Sequence, residues 1–164
     1  MGTVIAILIV AAIVGAVVWN KRNAGAAMAG VEFSIPAAPA EVSAAIHSAF
    51  NVGAGAKLKN AFSGIRVGGS GNSYRFESKI GDIGRIQIVP SGSGAKVTAA
   101  TDELYVGSHP KSHSRSNGIW GLATAMTHGI YKVMGVTPGA AKMKRFQLGL
   151  EGKVSKQLRK AASA

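Results

Sequence analysis

Residues 65–90 read IRVGGSGNSYRFESKIGDIGRIQIVP. Successive side chains of a strand point to opposite faces, so a period of two marks a half-buried strand. Tyr74, Phe76, Ser78 and Ile80 fall on one face, with Arg75, Glu77 and Lys79 opposite. Ile65 and Val67 alternate in the same way up to Gly68-Gly69-Ser70-Gly71-Asn72, a turn composition. Gly81-Asp82 turns the chain again, and Ile86 and Ile88 carry a strand to Pro90. Ser91-Gly92-Ser93-Gly94 reads as a hairpin, and Lys96 to Val106 as a longer strand. This is a meander of antiparallel strands, each with one face on a core and one in water.

Upstream, Val31, Phe33 and Ile35 share one face of a short strand that ends at Pro36 and Pro39. Glu41 to Phe50 then has helical spacing, with Val42, Ala45, Ile46 and Phe50 on one side, and Gly53 to Lys59 reads as a loop. Downstream, Ser108 to Asn117 is polar loop. Ile119 to Met134 returns to helical spacing and stops at Gly135. Thr137 and Pro138 suit the cap and first position of a last helix. Its apolar stripe is Met143, Phe146, Leu150, Val154 and Leu158.

The opening stretch Val31-Glu32-Phe33-Ser34-Ile35-Pro36-Ala37-Ala38-Pro39-Ala40-Glu41-Val42-Ser43-Ala44-Ala45-Ile46 resembles the start of the helix-grip superfamily. That group includes START lipid-transfer domains, Bet v 1-like proteins and polyketide cyclases. Ile35, Ala38, Pro39, Val42 and Ile46 carry the likeness. It implies a curved antiparallel sheet wrapped on the C-terminal helix, and a hydrophobic cavity between them. Phe33, Tyr74, Phe76 and Tyr105 are the residues expected to line such a cavity. The chain departs from the pattern in its five strands and its broken, basic C-terminal helix, so a ligand does not follow from the likeness alone.

At the other end, residues 4–18 read VIAILIVAAIVGAVV, with Trp19, Asn20, Lys21 and Arg22 next. From Gly2 to Trp19 a helix spans about 27 Å, close to a hydrocarbon core of about 30 Å. A retained anchor and a cleaved signal peptide compete here. No charge precedes the run except the amino terminus, but Ala24 to Ala29 offers small residues for cleavage. Lys21 and Arg22 put the following chain on the cytoplasmic side and the amino terminus outside. Asn20 to Gly30, rich in Ala and Gly, reads as a flexible linker.

The chain has 164 residues, no cysteine and a formal charge of +12, all of it beyond residue 20. Disulfide and thiolate chemistry are excluded. The charge favours anionic partners, and lipid headgroups account for it without nucleic acid. Lys142, Lys144, Arg145, Lys153, Lys156, Arg159 and Lys160 surround the last apolar stripe and are the candidates for an anionic surface.

His109 and His113 flank Pro110 in a polar loop, where their spacing does not converge metal ligands; His47 and His128 are remote in sequence. The two Gly-rich stretches join strands, whereas a phosphate cradle leads into a helix. Asp102 and Glu103 are adjacent and point to opposite faces of a strand. No catalytic residues, cofactor or metal site are assigned.

The expected fold class is α+β. A single transmembrane helix (1–20) and a linker (21–30) precede a reduced helix-grip-like domain (31–164). The expected function is a non-catalytic, membrane-anchored accessory or adaptor subunit of a bacterial inner-membrane complex, with the membrane and other subunits as partners. A membrane-tethered carrier of a lipid or hydrophobic ligand is the alternative, and a cyclase-like enzyme comes third.

Overall fold

The computed structural model describes residues 2–50, 64–107 and 129–164. Gly53–Lys59, Ser108–Asn117, His109, His113, His128 and the first part of the Ile119–Met134 stretch lie outside the described residues.

The chain is α+β. Helix α1 (Gly2–Ala29) leads to β1 (Val31–Ile35) and α2 (Pro39–Phe50). Strands β2 (Ile65–Ser70), β3 (Ser73–Ser78), β4 (Ile83–Ser91) and β5 (Gly94–Glu103) follow, then α3 (Ala140–Leu148) and α4 (Leu150–Ala162). The strands form one five-stranded sheet in the order β1-β5-β4-β3-β2, every neighbouring pair antiparallel. The meander is thus continuous from β2 to β5, and β1 closes on its last strand, with Val31 opposite Ala99 and Ile35 opposite Ala95.

The alternation read in the sequence is the alternation of burial. Ile65, Val67, Tyr74, Phe76, Ile86, Ile88, Ala95, Val97 and Ala99 face the core. Arg66, Arg75, Glu77, Arg85 and Gln87 face outward. On that outer face Lys96 pairs with Glu32 (2.9 Å) and Arg85 with Asp102 (3.0 Å). Both pairs are exposed, so each contributes little, about 0.2–1 kcal/mol.

The inner face is covered by helices. Val42, Ala45, Ile46 and Phe50 of α2 and Met143, Phe146, Leu150 and Val154 of α3 and α4 complete the core. Phe146 is the junction, with ring centroids 4.8 Å from Phe76 and 5.4 Å from Phe50. The expected stripe is therefore the core-facing stripe, with Leu158 at its margin. The expected single last helix is two, passing from α3 to α4 at Gly149.

Gly84 shows how closely the sheet meets the core. A Cβ there would lie 2.3 Å from the Phe76 ring and 2.6 Å from the Ala100 carbonyl oxygen, so only glycine lets Phe76 lie against β4.

Two local expectations are corrected. Residues 20–29 are not a linker: α1 runs through them to Ala29. Alanine is the best helix former, and here the segment also has a surface to pack on. Thr137 is not the cap of α3, which starts at Ala140 after Gly139. The Thr137 hydroxyl is committed elsewhere, as described next.

Candidate functional site

The least ordinary part of the molecule is the junction between the apolar helix and the domain. Asn20, Asn23, Ala24 and Ala27 recur at i, i+3, i+4 and i+7, one face of a helix. That face is the one turned to the domain: Ala27 and Asn23 are buried, and Asn20 and Ala24 half-buried. Residues 4–16 of α1 are bare, and over its apolar window only 6% is buried. One helix is thus long and apolar enough to cross a membrane, and its last third is part of the domain.

Three hydrogen bonds pin the start of that docked third. The Thr137 backbone N–H (2.8 Å) and hydroxyl (2.9 Å) both donate to Asn20 Oδ1, and Asn20 Nδ2 donates to the Thr137 carbonyl (3.0 Å). The side-chain amide thus pairs with a backbone peptide as a strand neighbour would, with its donor and acceptor both used.

Gln147 pins the far end. Its Nε2 donates to the Ala27 carbonyl (2.8 Å) and to Thr101 Oγ1 (3.0 Å), and Gln147 is only 1% exposed. A helix leaves its last four carbonyls without intrahelical partners. Ala27 is one of these, and α3 supplies the missing donor. The Gln147 Oε1 atom is buried and unpartnered, a cost of about 1–3 kcal/mol that the two donated bonds offset. Gly30 then ends the helix at φ +76°, packed so tightly on Ala99 and Ala100 that a Cβ would collide.

A second buried polar cluster braces the same corner of the sheet. Asp82 is fully buried; its Oδ2 accepts from Ser78 Oγ (2.6 Å) and its Oδ1 from the Tyr105 N–H (2.8 Å). The carboxylate lies directly against Gly139, where a Cβ would overlap it. Gly139 opens α3, and the amino end of a helix favours negative charge. This holds the β3–β4 turn to the start of α3 and leaves both carboxylate oxygens engaged.

The four expected cavity residues do not converge on an opening. Phe76 is fully buried against Phe146, and Tyr74 (1% exposed) donates its hydroxyl to the Ser43 carbonyl and meets His47 edge-on at 5.6 Å. Phe33 and Tyr105 are half-buried. An apolar opening between sheet and helix lies elsewhere. It is a groove of about 580 Å³ at the end of the sheet, lined by Ile35, Pro36, Ala37, Leu158, Ala161 and Ala162.

The seven basic candidates do not share one face. Lys144 reaches Asn23 Oδ1 (3.4 Å), beside α1. Lys153 lies over the Phe50 and Phe146 rings, 5.2 and 5.8 Å from their centroids. Arg159 borders the groove at Ile35–Ala37, and Lys160 a second hollow against Ala44, Ala45 and Ser48. Lys142, Arg145 and Lys156 are exposed. Among the described residues no group of three or more His, Asp and Glu side chains could hold a metal ion.

No family model matches this chain, and no curated protein matches it.

Proposed function

We propose that the chain is a non-catalytic adaptor of a bacterial inner membrane, anchored by α1 as a single span. Its amino terminus is outside, and its reduced helix-grip domain is in the cytoplasm. The observation that carries this is the docking of Asn20–Ala29 on α3. A signal peptide is cut away after export, yet cleavage anywhere within Ala24–Ala29 would remove Asn20 and Asn23, which bond to Thr137 and Lys144. The same segment makes the span and the domain one body, an arrangement suited to presenting a surface at a fixed height and angle. The order strand, helix, meander and core-packed last helices supports the helix-grip reading.

The register sets which surface is presented. Asn20 follows Trp19 at the membrane side and is tied to Thr137. From there α3 and α4 lead to Leu158–Ala162, beside Ile35–Ala37 at the opposite end of β1 from Gly30. Lys153, Lys156, Arg159 and Lys160 on α4 are therefore carried away from the bilayer, and an acidic subunit suits them better than headgroups.

The test is purification of the full chain from membranes beside a variant with Lys153, Lys156 and Arg159 changed to Glu. The reading expects both to stay membrane-bound and only the parent to retain a stoichiometric acidic partner. A parent that purifies alone, or a partner indifferent to the reversal, refutes it. The groove of about 580 Å³ favours a second reading, a hydrophobic-ligand carrier that uses the end of the sheet. Extraction of a bound lipid from the purified chain distinguishes the two.

A further inference from the structure

Residues 129–133 are helical and stand out by what they expose. Val133 is 90% exposed, Ile130 55% and Tyr131 40%. Large aliphatic side chains are seldom left so bare in water, and a cluster of them marks a contact surface.

What they contact follows from how the segment is held. It ends in a Schellman turn: Gly135 takes φ +65°, its N–H donates to the Lys132 carbonyl (3.1 Å), and the Val136 N–H donates to Tyr131 (2.9 Å). The Val136 carbonyl accepts from the Gly107 N–H (2.9 Å), next to Val106, itself 42% exposed. The next residue, Thr137, is the one tied three times to Asn20. Four residues extend at most about 14 Å, so Val133 cannot be farther than that from Thr137. Asn20 in turn directly follows Trp19, the end of the apolar run.

We propose that Ile130, Tyr131 and Val133 enter the lipid interface beside α1, a second contact that seats the domain on the leaflet. The inference rests on the reading of α1 as a membrane span. Interfacial segments sink about 5–10 Å into the headgroup and acyl boundary, within the reach just derived. Tyr131 has the apolar body and polar tip that favour this layer, and the ammonium of Lys132 suits anionic headgroups. The occupant is lipid because the chain leads from the patch in four residues to Thr137, which is bonded to Asn20 at the end of the apolar run.

The chain has no cysteine, so single labels are unambiguous. The full chain is placed in nanodiscs of phosphatidylcholine and phosphatidylglycerol with an environment-sensitive fluorophore at Val10→Cys, Val133→Cys or Lys156→Cys. Lipids brominated near the headgroup end of the acyl chain serve as quencher. The inference expects blue-shifted, bromine-quenched emission at positions 10 and 133, and unquenched aqueous emission at 156. Quenching at 10 with aqueous emission at 133 overturns the second contact and leaves the span intact. A blue shift at 133 without quenching means that protein covers the patch, and also overturns it. No quenching at 10 removes the span itself, and the inference with it.

Discussion

Asn20→Ala tests the junction most sharply. The substitution deletes three hydrogen bonds to one residue, Thr137, and disturbs little packing because Asn20 is only half-buried. A typical intramolecular hydrogen bond contributes about 0.5–1.5 kcal/mol net. Three would total about 1.5–4.5 kcal/mol, and partial water access at Asn20 pulls the figure toward the lower half, about 2 kcal/mol. Thr137→Val removes only the hydroxyl bond and should cost about 0.5–1.5 kcal/mol. Both single variants lose the Oγ1–Oδ1 bond, so the double variant should cost less than their sum by about one bond. The assay is denaturant unfolding of the full chain in detergent micelles, followed by far-ultraviolet circular dichroism, for the four members of the cycle. A cost below about 0.5 kcal/mol for Asn20→Ala, with additive effects, would refute the junction: Asn20 would then be a solvated hinge.

Other expectations follow from the same packing. Phe146→Ala empties the contact between Phe50 and Phe76 and should cost roughly 3–5 kcal/mol in the same unfolding assay. Gly139→Ala drives a Cβ into the Asp82 carboxylate and breaks its bonds to Ser78 and Tyr105; the variant should fail to accumulate as folded protein in a solubility and circular-dichroism screen. Gly152→Ala is the opposite case: a Cβ on this exposed turn of α4 meets nothing within 4 Å, and the change should stabilise by about 0.5–1 kcal/mol, read as a raised denaturation midpoint.

What the sequence told, and what it withheld, divides by distance along the chain. The meander was legible because strand burial is periodic in neighbouring residues, as Tyr74, Phe76 and Ser78 against Arg75 and Glu77 show. The end of the helical stretch before Gly135 was also legible, since Gly135 alone at that point tolerates the left-handed backbone. The stripe from Met143 to Val154 was read from spacing and is core.

The Asn20–Gly30 segment was misread because its Ala and Gly content suggested a linker. Its helical spacing of Asn20, Asn23, Ala24 and Ala27 was present, but a face of small and amide side chains carries no hydrophobic signal. Thr137 was read as a cap because Ser and Thr usually serve their neighbours. Its actual partner lies 117 positions away, and no local pattern announces such a bond. Gln147 was missed for the same reason: in sequence it is one more polar residue on a basic helix, and only the fold brings it to Ala27 and Thr101.

The central claim, that anchor and domain are one body, is met most directly by a pulsed electron-paramagnetic-resonance distance in nanodiscs. Spin labels are placed at Val10→Cys on α1 and Lys156→Cys on α4, both exposed. Continuity of α1 into the docked segment predicts a single narrow distance distribution. A chain free between Asn20 and Gly30 would wander over a root-mean-square span of about 15–20 Å, and a distribution that broad would contradict the account.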